Sequence, residues 1–305
     1  MGFRSRVEGS FMKFGFSAAL ALCLSFTPAL AADPVVDTCG MRGVIGAYGA
    51  LGSSSGNIDS DVEGLGLYGK ANFCDVLGTG LNDQTDVYGE FDKADNSAFG
   101  IVHPKSHSFG YVSHYYYRND NYALGILSGM GQHTDKVFFG DESKILGVIG
   151  LDAHVYLDQL TLAGQFAYWD ALGKKSFFKI GEAYEVSGEA RYFLTDNFKL
   201  TGRLAYDWNT TIPDAYPWHG VSFGAGAEYQ LDAYPVSIFA NYTRTDGKIT
   251  GNGFNVDQDS DVFKAGIVVH FNSNSLISED RNGPTFATPM IDPWASLLAT
   301  AWRED

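Results

Sequence analysis

The stretch YEVSGEARYFLTDNFKLTGRLAYDW, Tyr184 to Trp208, decides the fold. Alternate residues from Tyr184 give Val186, Gly188, Ala190, Tyr192 and Leu194. After Thr195-Asp196-Asn197 the apolar set resumes with Phe198, Leu200, Gly202, Leu204, Tyr206 and Trp208. The other face carries Glu185, Ser187, Glu189, Arg191, Lys199, Thr201, Arg203 and Asp207, with Phe193 and Ala205 as exceptions. A period of two over a dozen residues predicts two long antiparallel strands with one apolar and one polar face. Phe198 to Trp208 at ~3.3 Å per residue covers about 33 Å, or about 24 Å of height at a tilt of ~45°, which is the thickness of an outer-membrane hydrocarbon band. Aromatic residues close both ends of the apolar face, where a ring stays apolar while its edge meets water. One hairpin alone fits a soluble sandwich equally well, because alternation does not say which face is outside.

The rest of the chain separates the two. From Arg42 onward about twelve such segments follow one another: Arg42–Gly52, Glu63–Cys74, Gln84–Lys93, Ser108–Arg118, Tyr122–His133, Ile145–Leu157, Leu160–Asp170, the two strands above, His219–Leu231, Val236–Asp246 and Asp261–Asn272. Their connections alternate between long polar loops and short turns such as Asn119-Asp120-Asn121 and Asp158-Gln159, with Asp75–Asp83 a medium link. A barrel with long extracellular loops and short periplasmic turns alternates in this way, whereas a sandwich has no reason to. The predicted fold is all-β: a transmembrane, antiparallel up-and-down barrel of about 12 strands over 42–272. The turns also set the register, with Leu157 opposite Leu160, Glu189 opposite Arg203 as an opposite-charge pair, and Glu185 opposite Asp207.

Composition agrees with this. Gly (36), Tyr (17) and Phe (22) are abundant in the 305 residues, which suits crowded strand faces, and a net charge of −15 argues against a nucleic-acid partner. Met12-Lys13, the apolar run Phe14 to Phe26 and Pro28-Ala29-Leu30-Ala31 read as an export signal with an upstream extension, so 1–31 is expected to be removed and 32–41 to form a periplasmic lead. Two cysteines then remain, Cys39 and Cys74. An even count in an exported chain suggests a disulfide, and both positions fall at the periplasmic ends of neighbouring strands.

From Arg42 to Asn272 the chain resembles bacterial outer-membrane β-barrel proteins of the porin type. The resemblance rests on the signal Met12–Ala31, the alternating hairpins and the last strand, Val262 to Phe271, with Phe263, Ala265, Ile267, Val269 and Phe271 on one face. It implies an outer-membrane location among lipid and lipopolysaccharide, and a last strand read by the barrel-insertion machinery. Being architectural, it identifies no substrate and leaves the oligomeric state open. The chain departs from the pattern by continuing past Phe271.

The polar faces predict a lumen lined by Lys70, Glu90, Asp92, His114, Asp152, His154, Glu185, Glu189, Arg191, Lys199, Arg203, Asp207, Glu228 and Lys264. Among its neutral members are Tyr68, Gln165, Asn241 and Thr243. Both signs are present, so no strong ion selectivity follows, and twelve strands give a narrow bore. This is either a passive diffusion path for small hydrophilic solutes or a polar core whose charges pair, in a non-conducting structural or surface-interaction barrel. A lipid-active enzyme is the remote alternative. None of the seven histidines has a serine two residues away on its strand, and Ser106-His107-Ser108 and Ser113-His114 are adjacent pairs that face opposite ways, so no catalytic group and no cofactor is expected. Asp59 and Asp61 in the first long loop and Asp257 and Asp259 in the last form a weak metal candidate, against solvated loop charge. The tail 273–305 is read as periplasmic. It could dock inside the barrel, bind the rim or stay disordered, with disorder the default for such a terminus and a short helix predicted after Asp292-Pro293.

Overall fold

The computed structural model describes residues 40–56, 60–96, 105–137, 140–171, 182–209, 218–251 and 254–289. The predicted signal, Cys39, Asp59 and the helix predicted after Asp292-Pro293 lie outside them. Twelve strands follow in order: β1 Arg42–Gly56, β2 Ser60–Phe73, β3 Asn82–Asn96, β4 Lys105–Arg118, β5 Tyr122–Val137, β6 Gly140–Leu157, β7 Leu160–Ala171, β8 Ala183–Thr195, β9 Phe198–Asn209, β10 Trp218–Gln230, β11 Val236–Gly251 and β12 Phe254–Phe271. Each pairs antiparallel with its sequence neighbours, and β1 closes on β12 over Gly43↔Phe271 to Gly56↔Gln258. Closure leaves no strand edge unpaired, as hydrocarbon requires.

The apolar face looks outward. Val186, Leu200, Leu204 and Ile238 are exposed on the outer wall, with Leu204 at 60%. Between them on the same strands, Glu185, Arg191 and Ala205 are buried. The predicted turn registers hold, Leu157↔Leu160, Glu189↔Arg203 and Glu185↔Asp207. The tight turn at Asp158 needs φ of 45°, a left-handed conformation that aspartate tolerates through its short polar side chain. The Glu189–Arg203 ion pair read from that register is replaced by two others: Arg203 Nη2 lies 2.5 Å from Glu185 Oε1, four residues along β8 from its register partner, and Glu189 accepts instead from Arg191, two residues away on its own strand.

Strands run further than expected, up to 18 residues in β6 and β12. The extra residues, such as Ser53–Gly56 and Asp257–Ser260, keep the pairing but drop the apolar alternation above the lipid band, so periodicity alone reads them as loop.

The larger correction concerns the tail. Beyond Phe271 the chain turns at Asn272 (φ 59°), forms helix α1, Leu276–Asn282, and continues to Pro289 inside the barrel. Leu276, Gly283, Pro284, Thr285, Phe286 and Pro289 are buried. Docking inside the barrel is therefore the outcome for 273–289, in place of the expected disorder: the segment is held by many hydrogen bonds and ion pairs to the wall, as described next.

Candidate functional site

α1 spans the mouth of the barrel that carries the short turns. Ser275 caps it, accepting from the Ser278 amide, and the helix reaches walls on opposite sides of the barrel. Asp280 receives Thr161 Oγ1 at 2.5 Å and Arg191 Nη1 at 2.8 Å. Glu279 Oε2 lies 2.5 Å from His270 Nδ1, Arg42 donates to Ser278 Oγ, and Asn72 to the carbonyl of Asn282. Two short turns hold the helix from below: the Ile277 amide donates to the Asp196 carbonyl, and Arg281 to that of Asp158. Arg118 places both terminal nitrogens 3.0 Å from the Gly283 carbonyl, where the helix ends.

From there the segment climbs the β2–β7 side of the lumen. Phe286 is fully buried against His114, Tyr116 and His154, with ring centroids 5.5, 4.7 and 4.3 Å away. Its backbone pairs with the side-chain amide of Gln84 as a strand neighbour would: its N–H donates to Oε1 and its carbonyl accepts from Nε2, both at 3.0 Å. Lys70 adds a second bond to that carbonyl at 2.8 Å. Gln165 donates to the Ala287 carbonyl, and Thr288 to Asp86. Beneath these contacts a buried chain runs from Lys70 to Asp86 (3.2 Å), to His114 (3.5 Å) and to Asp152 (2.8 Å). The low-dielectric interior strengthens such a buried network and makes the loss of any one member costly.

The lumen is divided lengthwise. On the β4–β7 side, beyond Phe286, Val112, Leu127, Leu146, Val148, Ala167 and Trp169 pack into a dry cluster. On the β9–β12 side, Asn241 and Thr243 are exposed to water within the wall's inner face, over Gly224 and Gly226. Here the charges pair with one another: Arg203 with Glu185, Lys264 with Glu90 at 2.8 Å, and Lys199 with Glu228 at 2.7 Å. The Lys264–Glu90 bond joins β12 to β3, which are separated by two intervening strands, so both side chains point inward.

The predicted lining residues thus fall into two groups. Lys70, His114, Asp152, His154 and Arg191 hold the tail directly or through Gln165. Glu90, Glu185, Lys199, Arg203, Glu228 and Lys264 pair around the wet side, Glu189 serves Arg191, and Asp92 and Asp207 are part-buried. Gln84, Asp86, Arg118, Thr161 and His270 were missed, although the same alternation that selects Tyr88 selects Gln84 and Asp86. Cys74 is disulfide-bonded and its sulfur lies 3.9 Å from the Gly40 carbonyl, next to Cys39 in sequence.

Of the acidic-loop candidate, Asp59 lies outside the described residues. β1 lies between Asp61 and Asp261 in the sheet, Asp257 and Asp259 pair with Lys248 and Arg244, and among the described residues no group of three or more His, Cys, Asp or Glu could hold a metal ion. Ser108 Oγ and His133 Nδ1 do meet at 2.7 Å across β4 and β5, but on the lumen side of the wall and not toward lipid.

No protein-family model matches the chain, and no curated protein is similar to it. Solved structures match in fold. An outer-membrane channel from Pseudomonas putida F1 superposes with a TM-score of 0.54 at 13% identity, covering 79% of this chain and 100% of that one. The translocator domain of the autotransporter NalP from Neisseria meningitidis gives 0.50 at 13%, covering 85% and 98%. The beta domain of the Bordetella autotransporter Brka gives 0.50 at 15%, covering 76% and 99%. With a closed twelve-stranded wall, apolar outside and polar within, the chain has the fold of the bacterial outer-membrane β-barrels.

Proposed function

We propose that the protein is an outer-membrane channel for small hydrophilic solutes, closed at its periplasmic mouth by its own C-terminal segment. The observation that carries this reading is the lengthwise division of the lumen. A barrel serving only as a structural post has no use for a sector lined by glycine, threonine and asparagine and reached by water. Apolar filling of the kind seen on the β4–β7 side would stabilise it better. The wet sector supports a path, and α1 across its lower end supports a stopper.

A second reading has its own support. Phe286 and the Asp280–Arg191 pair are as buried as any core contact, which suits a barrel whose tail never leaves and which presents loops at the cell surface. Planar-bilayer recording on the refolded full chain and on a variant ending at Asn272 separates the two. Closed or flickering traces for the full chain and steady conductance for the shortened one support the stoppered channel, and silence from both supports the structural barrel.

A further inference from the structure

The wet sector holds a cradle that no reading above uses. Arg203 on β9 stands in register with Gly224 and Thr243, and Lys264 on β12 with Asn241, Gly226 and Thr201. The two cations stand on the first and last of four neighbouring strands, about 14 Å apart along the wall at ~4.8 Å per step. The middle of that wall has almost no side chains. A Cβ at Gly226 would fall 1.9 Å from Asn241 Oδ1, and one at Gly224 3.3 Å from Thr243 Oγ1, so both positions are kept bare for the polar groups lying over them. The exposed Asn241 and Thr243 offer an amide and a hydroxyl at the centre.

The ion pairs flanking this floor are lopsided. The Arg203 side chain is 33% exposed while its partner Glu185 is 7% exposed, and Lys264 is 32% exposed against 5% for Glu90. Lys264 Nζ also lies over the Tyr48 ring, 4.8 Å from its centroid. Each carboxylate is therefore sunk into the wall with its cation toward the water. Asp207 shares a face of β9 with Arg203 and is part-buried. A solute in contact with the floor meets hydroxyl and amide groups at its centre, and at its flanks a guanidinium and an ammonium with the part-buried Asp207 and Asp92 beside them.

We infer that this cradle is a binding subsite for small organic anions, in which a carboxylate docks on Arg203 or Lys264 and a polar group rests on Asn241 and Thr243 above the two glycines. The inference deepens the channel reading and rests on it for access to the lumen. It also revises the expectation that mixed charges give no preference, because the sign that matters to a solute is that of the exposed partner and not of the sum. Guanidinium–carboxylate contact is planar and can be bidentate, which favours carboxylates over inorganic halide.

Isothermal titration of the refolded full chain in detergent with succinate, putrescine and glucose tests it. Two variants remove a pair without stranding a buried charge: the double substitutions K264M/E90Q and R203M/E185Q. Saturable succinate binding that weakens about tenfold or more in each double variant, and falls as salt rises, is expected. Putrescine and glucose should not saturate. Binding of putrescine instead, no saturable succinate binding, or succinate affinity unchanged in both double variants would overturn the subsite. These readouts use the stoppered full chain and need no conductance, so a silent Asn272-terminated barrel would sink the channel reading without deciding this one.

Discussion

Phe286 lies flat on His114, their ring centroids 5.5 Å apart and their planes inclined by only 11°, at the point where the C-terminal segment meets the buried Lys70–Asp86–His114–Asp152 chain. One ring thus couples a segment beyond the last strand to charges on four separate strands. Replacing Phe286 by Ala should cost about 3 kcal/mol, the low end for emptying a buried aromatic site. The unfolding midpoint in urea reads this loss, and the same variant should conduct in bursts where the parent stays closed.

The strands were legible in the sequence because lipid outside and water inside impose a strict period of two, and Tyr184 to Trp208 shows it for the length of a bilayer. The tail was not legible, because a segment lining the inside of a polar bore has no reason to be amphipathic. Ser275 as a cap and Gly283-Pro284 as a stop did mark α1 locally. What they could not show was where it docks, since its partners Arg42, Asn72, Thr161, Arg191 and His270 lie far apart in sequence. The same blindness hid the lopsided ion pairs: charge is written in the sequence, but which partner faces water is not.

Arg191 serves two carboxylates, Glu189 and Asp280, and only the second belongs to the tail. Arg191→Met therefore strands the buried Asp280 and the part-buried Glu189, whereas Asp280→Asn strands no acid. The first should destabilise by about 3–5 kcal/mol and the second by clearly less. Limited proteolysis of the tail, followed over time, should show faster cutting in Arg191→Met than in Asp280→Asn.

Leu204 stands near the middle of β9 on the outer wall, next in sequence to the inward-facing Arg203. Leu204→Arg should cost about 2–4 kcal/mol for barrel folded into lipid vesicles, because a guanidinium would sit at mid-bilayer. The double variant R203M/E185Q should leave the lipid contact unchanged and, with both members of the buried pair neutral, cost clearly less. Equal losses from the two would mean that the wall is turned the other way.

Cys74 is bonded through sulfur at the periplasmic end of β2. With Cys39 as its partner, the denatured, unreduced, signal-cleaved protein should contain no free thiol. Cys74→Ser should expose one per chain, and two free thiols in the unsubstituted protein would exclude the pairing.

The account stands most directly on the position of the C-terminal segment. The Phe286 amide donates to Gln84 Oε1 at 3.0 Å within a fully buried site. Hydrogen–deuterium exchange on the refolded full chain should therefore find peptides covering 276–289 slowed by about 100-fold or more relative to the same residues unfolded. Exchange of that stretch at the unfolded rate, with the strands protected, would place the segment outside the barrel and contradict the stopper.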